Sequence, residues 1–242
     1  MKMMTKDIVL SKRMQMVADM VTKGNVVADI GCDHGFVSIY LVEQGICPRV
    51  IAMDVNKGPL FRAKEHIAER SLDSYIEIRL SDGIEKLQKK EADSIIIAGM
   101  GGKLVMKILS DYMDKARDLK EVILQPQSDL HFVRHFLMEQ GFIIVQEDMV
   151  EEAGKFYPCM KAVWKENGQS AYTEIEEWYG PLLLAEKHPV LYRYLLKEKD
   201  TFEQIAEEIR KNAKTESLEN TKEETIQNRL RQIGMALAYF KN

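Results

Sequence analysis

One short stretch decides the fold: Val26-Val27-Ala28-Asp29-Ile30-Gly31-Cys32-Asp33-His34-Gly35. An apolar run ends at an acidic residue and opens into a turn with two glycines, after which residues 36–44 have the composition of a helix. This is the order of the first strand, turn and helix in a doubly wound α/β sheet, where a ligand lies across the carboxyl ends of the strands. Glycine at both turn positions permits a tight turn and close approach of the backbone to a ligand, because it carries no Cβ atom.

The same turn discriminates between cofactors. A dinucleotide site requires the spacing G-x-G-x-x-G, with the pyrophosphate on the helix N-terminus. Here the spacing is Gly-x-x-x-Gly, and Asp29 and Asp33 would repel a pyrophosphate. Two carboxylates suit instead the amine and sulfonium of S-adenosylmethionine. The sequence therefore favours a methyltransferase over a nicotinamide-dependent oxidoreductase, although a loop in which Asp33 only caps a helix is also compatible with the pattern.

Composition limits the class of protein. A chain of 242 residues can hold one sizeable α/β domain and an appendage. The formal net charge is −4, so binding to nucleic acid would need a local basic patch. We expect no membrane span, since no run approaches about 18 apolar residues. Residues 1–12 lack the apolar core of a secretory signal, and the three cysteines are unclustered, so a cytoplasmic protein without disulfides is expected.

Strand-like and helix-like segments alternate through the first two thirds of the chain. The predicted strands are 26–30, 50–54, 76–80, 94–98, 121–125, 141–150 and 155–165. The predicted helices are 12–20, 35–43, 59–70, 83–89, 102–114 and 129–140. This alternation predicts a parallel sheet covered by helices on both faces. Only four residues separate the last two strands, so one of them must run antiparallel, as in the seven-stranded, Rossmann-like sheet of class I methyltransferases.

A second, helical domain is predicted after a polar linker that begins near residue 165. We expect a catalytic domain over residues 1–167 and a coiled-coil domain over residues 168–242. Apolar residues in this second part recur at helical spacing, partly in heptads. They are Leu191, Leu195, Phe202, Ile205, Ile209, Ile226, Leu230, Ile233, Leu237 and Phe240. A polar stretch over residues 212–220 divides them, which predicts an antiparallel helical hairpin.

Polar residues at the predicted strand ends form the candidate cofactor site. The first turn contributes Asp29, Gly31, Asp33, His34 and Gly35, and the later strand ends contribute Asp54, Val55, Ser81, Asp82, Gly83, Ala98 and Gly99. A carboxylate at 54 can accept hydrogen bonds from both ribose hydroxyls, and one at 82 can accept a bond from the adenine amine. Both positions could instead be ordinary helix caps. His34 is as compatible with a structural hydrogen bond as with a direct role.

The substrate side of the site is predicted at the ends of the fourth and fifth strands. Ala98-Gly99-Met100-Gly101-Gly102-Lys103 is not a P-loop, because the G-x-x-x-x-G-K-[ST] register is absent. It also lacks the Asn-Pro-Pro-Tyr motif that many exocyclic-amine methyltransferases carry there. Gln125 and Gln127 could contact a base edge or be plain loop residues. His131 and His135 share a helix face, but no third ligand stands near them, so no metal is expected.

Taken together, these segments resemble the bacterial tRNA adenine-22 N1-methyltransferases over nearly the whole chain. The matching motifs are Leu10-Ser11-x-Arg13, Asp29-Ile30-Gly31-x-Asp33-His34, Ile97-Ala98-Gly99-Met100-Gly101-Gly102, Leu124-Gln125-Pro126, Glu151-Glu152-x-Gly154-Lys155-x-Tyr157 and Tyr179-Gly180-Pro181. The fourth-strand motif and the Glu151–Tyr157 motif are specific, whereas the Gly-x-x-x-Gly turn alone would be weak. Gly35 and Phe36 stand where relatives have Ala and Tyr.

The resemblance implies methyl transfer from S-adenosylmethionine to N1 of adenine 22 in the D-arm of tRNA. Adenine N1 carries a lone pair and no proton, so no general base is required. The implied catalytic residues are Asp33, Gly99, Met100, Gly101 and Gln125. The implied RNA contacts are Arg13, Lys103, Arg210 and Lys211, the last two near Lys214 at the predicted hairpin tip. The hairpin is equally compatible with a role in packing, oligomerisation or binding of a protein partner. We expect a monomer or weak homo-oligomer. The alternative is a class I methyltransferase that acts on another RNA base or on a small molecule.

Overall fold

The computed structural model describes residues 8–166, 168, 171–212 and 218–241. The chain divides into two compact units, Met1–Ala171 and Tyr172–Asn242, called here the N-terminal and C-terminal units. Among the described helices, none combines the length and apolar character needed to cross a bilayer.

The N-terminal unit is a seven-stranded sheet with helices. Its strands are β1 Val27–Ile30, β2 Val50–Asp54, β3 Ile76–Leu80, β4 Ser94–Met100, β5 Glu121–Pro126, β6 Phe142–Glu152 and β7 Lys155–Trp164. Its helices are α1 Lys12–Asp19, α2 Phe36–Glu43, α3 Lys57–Glu69, α4 Gly102–Asp111, α5 Met113–Arg117 and α6 Leu130–Glu139. The strand order is β3-β2-β1-β4-β5-β7-β6, and β7 alone runs antiparallel to its neighbours. The predicted class I methyltransferase sheet is confirmed.

The apolar pattern of the strands explains this layering. Every residue of β1, β2 and β5 is buried, as expected for parallel strands covered on both faces by helices. The chain passes outward from β1 through β2 to β3, and then returns to the other side of β1 to form β4. A topological switch point therefore lies between β1 and β4. In open α/β sheets the ligand crevice forms there, beyond the carboxyl ends of the strands.

Two helix predictions were wrong in detail. Residues 83–89 form turns instead of a helix. Gly83 adopts φ +54°, and the Ser81 hydroxyl donates to the Gly83 carbonyl at 3.1 Å, so local hydrogen bonds replace the helical ones. The predicted helix over 102–114 is interrupted at Tyr112, whose φ of −133° is not helical, and the chain continues as α5.

The described residues of the C-terminal unit form four helices, where two were predicted. They are α7 Glu174–Tyr179, α8 Pro181–Ala185, α9 Pro189–Asn212 and α10 Leu218–Ala238. Ion pairs join Glu198 to Arg229 and Arg210 to Glu223, so α9 and α10 run antiparallel. The predicted helical hairpin is thus present. The start of α7 was readable from the sequence as a Thr-x-x-Glu capping box, which Thr173 forms with residue 176.

A polar cluster inside the C-terminal unit fastens its helices together. The Glu198 carboxylate on α9 accepts hydrogen bonds from Tyr179 at 2.9 Å, Tyr194 at 3.1 Å and Arg229 at 2.7 Å. The guanidinium of Arg229 also lies over the Trp178 ring, 4.1 Å from its centroid. One carboxylate therefore ties α7 and α10 to α9.

Candidate active site

A cavity of about 410 Å³ opens at the switch point of the sheet. Its walls come from the turns that follow β1 to β5, together with α1 and α4. The lining residues are Arg13, Met14, Ile30, Gly31, Asp33, Asp54, Val55, Asn56, Ser81, Asp82, Gly83, Ala98, Gly99, Met100, Leu104, Ile108 and Gln127. Nine of the predicted cofactor positions are among them, so the sequence located this cavity well.

Gly31 shows why the first turn needs glycine. It has φ +73°, a conformation that other residues rarely adopt, and its N–H donates to the Met53 carbonyl at 2.8 Å. A Cβ atom at this position would lie 2.4 Å from Cε of Met100. The backbone conformation therefore disfavours a side chain here, and a Cβ atom would also displace the terminal methyl of Met100. Glycine leaves the end of β1 bare toward the cavity.

Asp29 lies beneath this turn and does not line the cavity. Its side chain is 4% exposed, and the Ser38 hydroxyl donates to it at 2.6 Å. Burial raises the pKa of the Asp29 carboxyl to about 6, although the bond from Ser38 acts in the opposite direction. The structure therefore gives Asp29 a place under the turn instead of the direct cofactor contact that the sequence predicted.

The remaining residues of the first turn separate into two groups. Asp33 lines the cavity in a left-handed conformation with φ +48°, and its carboxylate faces His34 at 3.6 Å and Arg62 at 3.8 Å. His34 itself does not line the cavity, and its ring stacks on Phe36 with centroids 5.6 Å apart. Gly35 packs so closely on α3 that a Cβ atom would lie 3.1 Å from the Ala63 methyl. His34 and Gly35 therefore shape the turn from outside the cavity.

The ends of β2 and β3 supply an acidic wall. Asp54 is 8% exposed and lines the cavity, and one of its oxygens accepts the Asn56 N–H at 2.8 Å. Ser81 also lines it, but its hydroxyl is engaged with local backbone groups. Asp82 lines the same wall and is exposed. A carboxylate after β2 and another after β3 provide the hydrogen-bond acceptors that the ribose and adenine amine of a nucleoside require.

A bulge at the end of β4 forms the opposite wall. The pairing of β4 with β5 shifts register between Ala98 and Met100, and Gly99 between them has φ +77°. The Gly99 N–H donates to Oε1 of Gln125 at 3.2 Å. Nη1 of Arg13 donates to the same oxygen at 2.9 Å. One buried amide therefore joins α1, the β4 bulge and β5.

This arrangement changes the role expected for two predicted catalytic residues. Gln125 is fully buried and does not line the cavity, and its carbonyl oxygen is occupied by the two donors just described. Gly101 also lies outside the lining and is the N-cap residue of α4. By contrast, Gln127 lines the cavity and is exposed. The sequence left open whether Gln125 and Gln127 contact a base, and only Gln127 reaches the cavity.

The four cations predicted to contact RNA lie in different environments. Arg13 lines the cavity, with its guanidinium 5.5 Å from the Tyr157 ring centroid. Lys103 is exposed in the first turn of α4. In the C-terminal unit, Arg210 pairs with Glu223 at 3.8 Å and Lys211 with Glu207 at 3.6 Å. Lys214 lies outside the described residues.

Several lining residues were missed in the sequence. They are Met14, Ile30, Asn56, Leu104 and Ile108. Leu104 and Ile108 are four residues apart on α4, directly after the glycine-rich turn, so a helical reading of that segment could have placed them on one face. Met14 gave no signal, because it reaches the cavity from a helix that precedes the sheet. Among the described residues, no group of three His, Cys, Asp or Glu side chains could hold a metal ion.

Comparison with known proteins assigns this site to a family. A family model described as a methyltransferase domain matches residues 10–160. A tRNA (adenine(22)-N(1))-methyltransferase from Bacillus subtilis (strain 168) is 35% identical over 214 residues, which are 87% of this chain and 90% of the relative. The chain belongs to this methyltransferase family. The resemblance inferred from the sequence motifs is thereby confirmed.

Solved structures of this methyltransferase family are similar in three dimensions as well. The crystal structure of the B. subtilis M1A22 tRNA methyltransferase TrmK has a TM-score of 0.82 and 32% identity, with 96% of this chain and 100% of that chain covered. The structure of Mycoplasma capricolum TrmK, in complex with S-adenosylhomocysteine, has a TM-score of 0.81 and 25% identity over 95% of this chain and 98% of that one. The similarity therefore includes the C-terminal helices as well as the sheet.

Proposed function

We propose that this protein transfers the methyl group of S-adenosylmethionine to N1 of adenine 22 in tRNA. The observation that carries the proposal is the division of the cavity into two chemically different ends. Carboxylates line the turns that follow β1, β2 and β3, at Asp33, Asp54 and Asp82. The end at β4 and β5 is lined by Arg13, Met100, Leu104 and Gln127, which include no proton acceptor. Adenine N1 loses no proton on methylation, so it is a nucleophile that such a site can use.

The acidic end fits the adenosine part of the cofactor. Asp54 would accept hydrogen bonds from the ribose hydroxyls, and Asp82 one from the adenine amine. The bare backbone at Gly31 would let the methionine part approach the end of β1. When bound, the cofactor supplies an electrophilic methyl group on its sulfonium. Relatives in this family carry tRNA methyltransferase names, and one structure holds S-adenosylhomocysteine, which supports the same cofactor here.

The transfer end would act by placement and by electrostatics. Alignment of N1 with the methyl group removes the entropy cost of bringing two reactants together. Methylation leaves a positive charge on the base, part of which spreads onto the N6 amine. Acceptors for the N6 hydrogens therefore stabilise the transition state. Because Oε1 of Gln125 is already occupied, Asp33 and the backbone of the β4 bulge around Gly99 remain as candidates from the predicted set.

Arg13 is the cation best placed to contact the RNA at the cavity. Within the described chain, no carboxylate forms an ion pair with its partly buried guanidinium, and a charge in such a position usually has a counterion. A phosphate beside a flipped-out nucleotide would supply one. N1 lies on the pairing edge of adenine, so the base must leave any pair and enter the cavity, at a cost of a few kcal/mol. Contacts to phosphates offset that cost.

The C-terminal unit is proposed as a second RNA contact. Residues 171–242 contain 11 Lys and Arg against 13 Asp and Glu, so only a local patch can attract phosphates. Arg210 and Lys211 are exposed, and exposed ion pairs such as theirs are weak and are readily exchanged for phosphate contacts.

The decisive experiment identifies the product. Unmodified tRNA with adenine at position 22 is incubated with protein and cofactor, and the nucleosides are analysed by mass spectrometry. We expect 1-methyladenosine, none with a tRNA carrying guanine at position 22, and none with Asp54→Ala protein at low cofactor concentration. Formation of N6-methyladenosine, or methylation of free nucleosides with no reaction on tRNA, would refute the proposal in favour of another RNA base or a small-molecule substrate.

Charge reversal tests the C-terminal contact separately. Arg210→Glu with Lys211→Glu should weaken tRNA binding more at low salt than at high salt, because phosphate contacts release counterions. The matched control is Lys23→Glu with Lys120→Glu, since both lysines are exposed and precede β1 and β5, at the amino ends of the strands and away from the cavity. Equal effects of the two pairs would show that the C-terminal patch has no specific role.

A further inference from the structure

Gln127 is an amide whose side chain has no assigned role. It follows β5 directly, is exposed and lines the cavity. Its Nε2 atom lies 3.8 Å from the position that a Cβ atom on Gly99 would occupy, so the amide stands beside the β4 bulge. In the described part of the chain, its side chain forms no hydrogen bond. Gln125, two residues earlier, is in contrast buried with its carbonyl oxygen occupied.

The backbone around Gln127 is held firmly in place. The Gln127 N–H donates to the Met100 carbonyl at 2.8 Å, which ties it to the end of β4. Ser128 Oγ accepts the Gly102 N–H at 3.2 Å, so the same loop is attached to the start of α4. The contact is so close that a Cβ atom on Gly102 would lie 2.4 Å from the Ser128 carbonyl oxygen. Because the backbone is already fixed, no loop has to be ordered when the side chain binds a ligand, and only the rotamer freedom of Gln127 is lost.

The position of Gln127 relative to the cofactor end is also informative. The strand order places β3 and β5 on opposite sides of the β1–β4 switch point. Four strand spacings of about 4.8 Å separate them, or roughly 19 Å. Asp82 follows β3 and Gln127 follows β5, so the amide lies at the far end of the cavity from the acidic wall. In the proposed binding mode it would therefore lie beside the incoming base and away from the adenosine of the cofactor.

The chemistry of adenine restricts how a protein can hold it for this reaction. N1 must face the methyl group, so no hydrogen bond can use its lone pair. The Hoogsteen edge, formed by N7 and by the N6 hydrogen on the same side, stays accessible. A glutamine amide matches this pair: its oxygen accepts from N6–H, and its nitrogen donates to N7. Guanine presents an oxygen in place of the N6 amine, so the amide oxygen would meet another acceptor.

We propose that Gln127 recognises the target adenine through N6 and N7 and thereby leaves N1 open to methyl transfer. This inference rests on the proposed function and adds to it the residue that selects adenine. The bond to N6–H strengthens as positive charge develops on the base, so Gln127 contributes to the rate as well as to binding. Arg13 and Gln125 take no part in this contact. Their hydrogen bonds hold the β4 bulge in place beside the Gln127 side chain.

The test combines a protein substitution with an atomic substitution in the RNA. Wild-type and Gln127→Leu proteins are compared on tRNA carrying adenosine or 7-deazaadenosine at position 22, with kcat/KM as the readout. With wild-type protein, loss of the N7 acceptor should lower kcat/KM about tenfold. Gln127→Leu should lower kcat/KM on ordinary tRNA by roughly 10- to 100-fold. The same variant should respond less than twofold to 7-deazaadenosine, because the amide that senses N7 is gone.

Two controls isolate the contact. Gln146→Leu removes an exposed amide on β6 and should keep both wild-type activity and the full response to 7-deazaadenosine. Calorimetry with S-adenosylmethionine should show unchanged cofactor binding by Gln127→Leu, which verifies that the variant is folded. Any effect of 7-deazaadenine on the nucleophilicity of N1 is common to all proteins and cancels in the ratio.

The outcomes separate the inference from the function on which it rests. A tenfold response to 7-deazaadenosine that persists in Gln127→Leu would overturn the role of Gln127, as would wild-type activity of that variant on ordinary tRNA. A wild-type protein that methylates no adenine at position 22 would overturn the proposed function itself, and the inference with it.

Discussion

The buried carboxyl of Asp29 makes the stability of the protein depend on pH in a predictable direction. Burial raises its pKa from the ordinary 3.8 to about 6 in the folded chain. A shift of this size corresponds to about 3 kcal/mol between the two protonation states. Because the folded-state pKa of Asp29 is raised, the protonated carboxyl favours the folded chain. Its contribution to the free energy of unfolding is fully present below pH 3.8. It is lost as the pH rises through 6.

We expect Asp29→Asn to be more stable than the wild type at neutral pH. Asparagine keeps an oxygen that can accept the Ser38 hydroxyl and carries no charge to bury. The difference in unfolding free energy should be near zero at pH 4 and should approach about 3 kcal/mol at pH 7.5. Ser38→Ala should act in the opposite direction at pH 7.5, since it removes the bond that favours the charged carboxylate.

Urea unfolding without cofactor, between pH 4 and 8, measures these differences. The chain has two tryptophans, so a Trp178→Phe background leaves Trp164 as the fluorescent reporter of the N-terminal unit. An equal stability difference between Asp29→Asn and wild type at pH 4.5 and 7.5 would refute the reasoning, because the carboxyl would then not titrate in this range.

Three further predictions follow from single contacts. Asp54→Ala should weaken S-adenosylmethionine binding about 10- to 100-fold by calorimetry, through loss of charge-assisted bonds to the ribose, and unchanged affinity would remove the residue from the site. Gly99→Ala should cost about 1–2 kcal/mol of stability in urea titrations, because Gly99 has φ +77°. It should also lower the rate of methylation by displacing Arg13, whose Nη1 would lie 3.2 Å from the new methyl group. Glu198→Ala should destabilise the C-terminal unit by about 1.5–3 kcal/mol, because the partly buried Arg229 would lose its counterion. Trp178 fluorescence follows the unfolding, and a loss below about 1 kcal/mol would contradict this.

The sequence predicted the sheet and the acidic wall of the cavity because both depend on local patterns. An apolar strand that ends in Asp or Gly marks the carboxyl edge of a parallel sheet. This local pattern was enough to place Asp54 and Asp82 at the same edge, because it depends on no contact between distant segments. The turns at 83–89 were missed because Ser81 competes with helical hydrogen bonds through its side chain, which composition does not reveal.

The wall at β4 and β5 was harder to predict because it depends on contacts between distant segments. Gln125 and Gln127 look alike in sequence, and alternation along a strand says only that they share a face. What distinguishes them is Arg13, more than one hundred residues away, which occupies Oε1 of Gln125. The bulge at Gly99 is likewise set by the pairing of β4 with β5, which no local pattern encodes.

The hydrogen bonds that join α1 to the sheet have a consequence for the order in which the protein folds during synthesis. Arg13 is synthesised early, but its hydrogen-bond partner Gln125 follows 112 residues later. The Lys12 N–H likewise donates to Glu152, which is synthesised 140 residues later. The residues of the acidic wall lie close together in the chain, between β1 and the turn after β3. Long loops close more slowly than short ones. A nascent chain will therefore assemble the acidic wall first, and the wall at β4 and β5 only after β5 and β6 have left the ribosome.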